Sequence, residues 1–267
     1  MALITSTANA RVKQIRALRT RREREQTGLA WVEGIRPAVE AFQLRAPVDL
    51  LVVAPDLLTS DFARDALDTA RLEGVEIMEV TSAVFRSISD RDGPQGLGAL
   101  VRQQWLSLPD VRLAEGDRWV ALASVADPGN LGTILRTCYG ADAEGVILLD
   151  SSTDPYDPVA LRASMGAVFS RRLVRTSFEA FAAWTRAEGA TVVGSSDRAT
   201  ETYREADFGA RTVLLMGSER EGLSTEQQTL CDRIVSIPML GRSDSLNLAV
   251  ATAILLYEVL DRRETVA

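Results

Sequence analysis

A carboxamide and a guanidinium on one short segment are the first side chains whose types and spacing suggest chemistry. They are Asn130 and Arg136, within ADPGNLGTILRTCYGADAEGVILLD at residues 126–150. Apolar residues after the Pro-Gly turn recur at helical spacing and predict a buried helix face, formed by Leu131, Ile134, Leu135 and Cys138. Arg136 then projects elsewhere, where a long cation can reach a phosphate or ribose. Asn130 suits either a helix N-cap or a ligand contact.

A second segment, LLMGSEREGLS at residues 214–224, takes an apolar strand into Gly217 and then Glu219. Glycine permits close backbone approach, which suits a ligand lying against the main chain. An ordinary strand-to-helix turn, with Glu219 in the first helical turn, explains the same residues. The segment lacks the Gly-Lys-Ser/Thr of a Walker loop, and the chain shows no dinucleotide fingerprint after a strand.

A third segment, IPMLGRSDSLNLAVATAILLYEVL at residues 237–260, predicts a loop followed by a long helix. Ser243, Asp244 or Ser245 is the expected helix cap. Apolar residues on two sides of the helix indicate packing against its own sheet and against a second subunit. A single thick core is the alternative explanation.

Short apolar runs alternate with helical segments along the whole chain and predict an α/β protein. We expect a substrate-binding domain at 1–105, a linker at 106–116 and a catalytic domain at 117–267. The later runs are rich in β-branched residues without polar alternation, as in a parallel sheet covered on both faces. Ligands of such sheets bind at the carboxyl ends of the strands.

Composition excludes several kinds of site. The chain has no histidine, which rules out a Ser-His-Asp triad and a Cys-His pair, and its two cysteines suggest neither a disulfide framework nor a metal site. No run of about 18 uncharged apolar residues predicts a membrane span, and the polar N-terminus does not resemble a signal peptide. We therefore expect a cytoplasmic protein that uses neither a metal nor a membrane.

The charge distribution differs between the two halves. Residues 1–105 carry 14 basic and 14 acidic side chains, so the net charge of −7 falls entirely in residues 106–267. The predicted helix at 7–26 is rich in arginine, with Arg11, Lys13 and Arg16 the best candidates for phosphate contacts. A solvated helix face is an equally good interpretation of that cluster alone.

Together, the three segments resemble one family in order, spacing and residue identity. Asn-x-Gly-x-x-x-Arg-Thr, Gly-Ser-Glu-x-x-Gly, and Ile-Pro-Met followed by Ser-Leu-Asn look like the three motifs of SpoU/TrmH-type RNA 2′-O-ribose methyltransferases of the SPOUT superfamily. The segment at 88–102 is similar to the end of that family's N-terminal substrate-binding domain. The resemblance implies a trefoil-knotted parallel sheet preceded by a smaller α/β/α domain like that of a ribosomal protein, and a homodimer.

The resemblance also implies a cofactor, S-adenosyl-L-methionine, and a set of site residues. The implied catalytic residues are Asn130, Arg136, Glu219, Ser245 and Asn247. The implied cofactor-binding residues are Ser195, Met216, Gly217, Ile237, Met239 and Leu246. The implied activity is RNA 2′-O-ribose methylation, with 23S ribosomal RNA favoured over transfer RNA. A non-catalytic RNA-binding protein of the same fold is the rival from another functional class.

Overall fold

The computed structural model describes residues 3–242 and 245–264, with side chains as far as residue 262. The strands are β1 (Leu29–Glu33), β2 (Val48–Val53), β3 (Ile77–Glu79), β4 (Leu97–Arg102), β5 (Arg118–Ala123), β6 (Gly145–Leu149), β7 (Arg172–Thr176), β8 (Thr191–Ser195), β9 (Glu201–Thr202), β10 (Thr212–Met216) and β11 (Arg233–Ser236). The helices are α1 (Ala10–Ala17), α2 (Arg21–Thr27), α3 (Ile35–Gln43), α4 (Asp61–Leu72), α5 (Ser82–Ile88), α6 (Pro128–Gly140), α7 (Pro158–Ser164), α8 (Phe178–Glu188), α9 (Thr225–Leu230) and α10 (Leu248–Glu264).

The chain divides into two compact units. The first is Met1–Gln103 together with Asp154–Ser170, and the second is Gln104–Thr153 together with Arg171–Ala267. The sequence pattern predicts a boundary near this point but assigns the whole of 117–267 to one domain. The structure differs, because the segment that contains α7 packs with the N-terminal unit.

The first unit is built on a mixed sheet in the order β1-β4-β2-β3. β4 runs antiparallel to both of its neighbours, whereas β2 and β3 are parallel. The single helix predicted at 7–26 is two helices, because the Thr20 hydroxyl accepts a hydrogen bond from the Glu23 N–H and begins α2. Val12, Ile15 and Leu18, which recur at helical spacing, are buried in the core of this unit.

A buried ion pair attaches the α7 segment to the first unit. Arg24 is only 1% exposed, and its Nε lies 2.8 Å from Asp154 Oδ2. The same guanidinium donates to the Leu18 and Arg19 carbonyls and lies 3.4 Å from Asp157 Oδ2. A buried charge needs such a full set of partners. This long-range pairing, which the sequence pattern alone does not reveal, joins the α7 segment to the first unit.

The second unit contains the predicted parallel sheet. Its order is β7-β6-β5-β10-β8-β11-β9, and each pairing is parallel. Strands β6 and β10 are buried along their whole length, as a sheet covered on both faces requires. Leu108, Val111 and Leu113, from the stretch predicted as a linker, are buried in the core of this unit.

The terminal helix α10 is apolar on two sides, and this unit covers one of them. Leu255, Leu256 and Val259 are buried, whereas Val250 and Tyr257 are 47% and 49% exposed. The second apolar side of α10, which was also expected to be buried, is therefore exposed in the single chain. In the described part of the chain, none of the helices has the length and apolar character needed to cross a membrane.

Candidate active site

Adjacent parallel strands bring the three sequence segments to one edge of the large sheet. β5, β10, β8 and β11 are successive neighbours in that sheet. Met216 aligns with Leu122 at the ends of β10 and β5, and Val235 of β11 aligns with Ser195 at the end of β8. Because parallel strands share a direction, the loops that follow them leave from the same edge. This edge is where ligands of open α/β sheets bind.

Asp127 is the N-cap of α6, and this finding corrects one interpretation of Asn130. The Asp127 carboxylate accepts a hydrogen bond from the Asn130 N–H at 2.8 Å, and Pro128 occupies the first helical position. Aspartate before proline is a common helix start that the sequence could have revealed. The Asn130 side chain is therefore available for other contacts.

Glu219 binds the loop that leads into α6. Its carboxylate accepts hydrogen bonds from the Ala126 N–H at 3.1 Å, the Asp127 N–H at 3.2 Å and Asn130 Nδ2 at 3.3 Å. Desolvation alone would raise the pKa of Glu219, but these hydrogen bonds and one from its own N–H lower it below its usual range. Glu219 is therefore an anion at neutral pH. It lies in a loop, not in the first helical turn that was the alternative interpretation.

Asn247 joins the third segment to the first. Its Oδ1 accepts from the Ala249 and Val250 N–H groups and caps α10, while its Nδ2 donates to Asn130 Oδ1 at 2.9 Å. The expected caps Ser243 and Asp244 lie outside the described residues, and Ser245 is not the cap. Backbone donors at one end and a carboxylate at the other fix both amide orientations. We call Asn130, Glu219 and Asn247 the carboxamide network.

The Glu219 loop closes on itself. Ser218 and Gly222 exchange two backbone hydrogen bonds of 3.1 Å. A Cβ on Gly217 would lie 2.1 Å from the Gly222 carbonyl carbon, so only glycine fits at position 217. The close approach expected at this glycine is therefore made by its own loop.

The predicted cofactor residues lie on the same edge. The Ser195 hydroxyl is 3.9 Å from the Met216 sulfur, at the ends of neighbouring strands. Ile237 and Met239 follow β11 and are partly exposed, and Leu246 is 36% exposed just before α10. Small-molecule pockets are usually lined by apolar side chains together with a few polar groups, including backbone N–H and C=O. The residues present thus fit S-adenosylmethionine.

Two predicted groups are not members of the network. Arg136 projects from the exposed side of α6, and within the described residues its guanidinium makes no ion pair or hydrogen bond. In the first unit, Arg16 is held by Ser87 and the Thr7 carbonyl, and Arg11 donates to Gln14, whereas Lys13 is exposed. Among the described residues, no cluster of three or more acidic or cysteine side chains is arranged to hold a metal ion.

Residues 117–257 match the SpoU rRNA Methylase family, and residues 9–99 match the MRM3-like substrate binding domain. The first match covers more than half of the chain. The chain belongs to the SpoU rRNA Methylase family. Membership confirms the resemblance inferred from the three motifs.

Relatives of known activity align along nearly the whole chain. The 23S rRNA (guanosine(2553)-2′-O)-methyltransferase RlmP of Bacillus subtilis is 29% identical over 97% of this chain and 99% of its own length. The 23S rRNA (uridine(2479)-2′-O)-methyltransferase of Streptomyces viridochromogenes is 33% identical over 96% and 91%. The AdoMet-bound rRNA methyltransferase of Sinorhizobium meliloti is 37% identical, with a TM-score of 0.88 over 98% of each chain.

Proposed function

We propose that this protein transfers a methyl group from S-adenosylmethionine to a ribose 2′-hydroxyl of 23S ribosomal RNA. The observation that supports the proposal most directly is the carboxamide network. It joins one side chain from each family motif at the edge of the large sheet where the strands end. A protein that only binds RNA has no need of this arrangement. The bound cofactor supplies an electrophilic methyl group on a sulfonium.

Glu219 acts as a positioning residue and not as the base. Three N–H donors already occupy its carboxylate, and its lowered pKa makes it a weak proton acceptor. Its charge instead fixes the Asn130 carboxamide, which Asn247 holds from the other side. A fixed carboxamide can orient the ribose for in-line attack, where alignment supplies much of the rate.

Arg136 orients the ribose or the adjoining phosphate and stabilises the developing oxyanion. A guanidinium remains protonated at all ordinary pH values, so Arg136 serves as a cation and not as a base. Its exposed position on α6 leaves it accessible to an RNA substrate. Ser245 and Asn247 shape the loop around the cofactor and the ribose.

The cofactor would be held by Ser195, Met216, Gly217, Ile237, Met239 and Leu246, mostly through backbone groups. The trefoil knot of the family remains a prediction for this chain.

The direct test incubates the purified protein with tritiated S-adenosylmethionine and in vitro transcribed 23S ribosomal RNA. Transfer RNA transcripts serve as the competing substrate class. We expect label in the ribosomal RNA at the 2′-O position of one nucleotide, which reverse-transcription stops at low nucleotide concentration would map. Folded protein that leaves both RNAs unlabelled would favour a non-catalytic RNA-binding function.

Ribosomal RNA is favoured because the two relatives named above methylate 23S rRNA and align with at least 96% of this chain. Those two relatives modify different nucleotides, so family membership does not fix the position in this case. Label in transfer RNA alone would show that transfer RNA is the substrate. The proposed 2′-O-methyl transfer would still stand. An enzyme with this substrate works in the cytoplasm.

The protein acts as a homodimer in this proposal. Val250 and Tyr257 on α10, with Tyr139 on α6, form an exposed apolar surface in the second unit. Such surfaces on soluble proteins usually mark an interface. Light scattering after gel filtration should give a dimer mass for the wild type and a monomer mass for Val250→Glu/Tyr257→Glu. A monomeric wild type at micromolar concentration would contradict the assembly.

A further inference from the structure

An open groove of about 520 Å³ lies in the first unit, remote in sequence from the three motifs. The beginning of α3, the α4 entrance, the loop at 88–96 and the end of α7 form its walls. Its most notable lining side chains are Arg36, Phe62, Arg91, Gln95, Arg162 and Met165. A volume of this size lies within the range of natural ligand pockets.

The groove concentrates unpaired positive charge. Arg36, Arg91 and Arg162 make no ion pair and no side-chain hydrogen bond within the described residues. The lining that the structure describes includes no carboxylate, and nearby Asp61 is taken up by Arg64 at 2.7 Å. α3 begins here, so the positive end of its dipole adds to the potential. Such a surface selects a polyanion.

Buried contacts hold the loop that carries Arg91. Glu33 is 6% exposed and accepts hydrogen bonds from the Ser89 hydroxyl and the Asp90 N–H. The Ser89 oxygen in turn accepts from the Arg91 N–H at 3.0 Å. Because the buried Glu33 carboxylate holds this loop, the backbone position of Arg91 is fixed.

The α7 side of the groove is also fixed. Met165 ends α7 with a φ of 53°, and Gly166 follows with a φ of 96°. A Cβ on Gly166 would lie 2.6 Å from Glu40 on α3, so the turn packs closely there. Arg162 lies in the last turn of a helix that the buried pair of Arg24 and Asp154 anchors to this unit.

Phe62 adds an aromatic ring to this cationic surface. It is 51% exposed at the start of α4, although a phenylalanine normally buries its ring. Single-stranded RNA is bound by cations that contact phosphates and by aromatic rings on which bases stack. Duplex RNA keeps its bases stacked within the helix and offers no free base to such a ring.

We propose that this groove, here the arginine groove, binds a single-stranded segment of the RNA substrate. Arg36, Arg91 and Arg162 contact its phosphates, and Phe62 stacks on one of its bases. The inference rests on the proposed function for the identity of the ligand. It assigns RNA recognition to a site built partly by α7, outside the residues that match the substrate-binding family.

Binding is measured without cofactor, by fluorescence anisotropy of a fluorescein-labelled 12-nucleotide single-stranded RNA on the full chain. Arg36→Ala/Arg91→Ala/Arg162→Ala should weaken binding about tenfold or more and reduce the slope of log affinity against log salt by about 2. Phe62→Ala should weaken RNA binding about tenfold, whereas Phe62→Trp should bind the RNA as wild type does. The matched control, Arg45→Ala/Arg71→Ala/Arg102→Ala, removes equal charge from exposed ion pairs of the same unit and should bind nearly as wild type.

A folded groove variant that binds RNA as tightly as the matched control overturns the inference, whatever the methylation assay shows. A duplex of equal length bound as tightly as the single strand, together with unaltered binding by Phe62→Ala, also overturns it. Wild type that binds the single strand through the groove yet methylates neither RNA leaves the groove in place and refutes the proposed function instead. S-adenosylmethionine affinity, measured by calorimetry, should be equal in all variants.

Discussion

The carboxamide network of the second unit and the arginine groove of the first differ in whether their polar side chains are paired within the protein. Asn130 is hydrogen-bonded to both Glu219 and Asn247, and these two side chains also accept hydrogen bonds from backbone N–H groups. The groove arginines are held at their backbones, while within the described residues their charges have no partner. The side chains of the network are paired within the protein, whereas we propose that the groove arginines pair with the phosphates of the RNA.

This difference follows from what each site must do. Groups that orient a reacting atom act best when their geometry is fixed before the substrate arrives. Groups that bind phosphates gain most when no internal carboxylate competes for them, because RNA then supplies the counter-charge.

Arg24→Ala should destabilise the first unit by about 3–5 kcal/mol, because it leaves Asp154 buried without its partner. The α7 segment would detach and take Arg162 out of the groove. Hydrogen exchange of the β1 and α7 amides, read by mass spectrometry, measures the loss.

Arg21→Ala is the control, since Arg21 pairs with Glu25 at an exposed position and its removal should cost at most about 0.5 kcal/mol. Arg24→Met/Asp154→Leu should recover much of the stability, because an apolar pair needs no buried partner charge. Equal protection in Arg24→Ala and Arg21→Ala would show that the buried pair does not hold α7.

Arg136→Ala should lower kcat about 100-fold while S-adenosylmethionine affinity stays within about twofold, as expected for a lost oxyanion-stabilising cation. Single-turnover methylation and calorimetry provide the two measurements. Arg186→Ala removes an exposed arginine from α8 in the same unit and should leave both unchanged. Full turnover by Arg136→Ala would remove this residue from the catalytic set.

Sequence patterns predicted the secondary structure well where one segment contained the whole signal. The buried face of α6 and the uniformly buried strands of the parallel sheet depend on local spacing, and both were confirmed. The two-residue β9 was not predicted, because two residues carry no periodic signal. The placement of α7 depends on Arg24 and Asp154, which are far apart in sequence.

The candidate site shows the same limit. The three motifs indicated which residues belong together, and the structure brings Asn130, Glu219 and Asn247 into contact. The cap of α6 could have been predicted from Asp127 before Pro128, but the cap of α10 could not, because Ser245 and Asn247 both satisfy local rules for capping and only the folded chain shows that Asn247 is the cap. The groove was missed because its arginines come from three distant elements.

Asn247→Asp should separate the two contacts of this residue. Aspartate caps helices well, so α10 should remain stable, but the donor to Asn130 Oδ1 is lost and kcat should fall about tenfold. Asn247→Ala loses the cap as well and should cost about 1 kcal/mol of stability in addition. Urea unfolding and single-turnover methylation measure the two effects. Equal stability losses in both variants would show that the side chain does not cap α10.

The smallest effect concerns the charge of Glu219. Because folding lowers its pKa, the carboxylate adds stability that is fully present above its ordinary pKa of about 4.5 and is lost as pH falls through the lowered folded-state pKa.

The Glu219→Gln side chain cannot titrate. This variant should be less stable than wild type by about 1 kcal/mol at pH 7, and the difference should shrink toward zero below pH 4.5. Urea unfolding at several pH values between 7 and 3 measures the difference. Glu115→Gln, which changes an exposed carboxylate in the turn before β5, should show no comparable gap at pH 7. A gap for Glu219→Gln that stays constant with pH would mean that the network depends on the shape of this side chain and not on its charge.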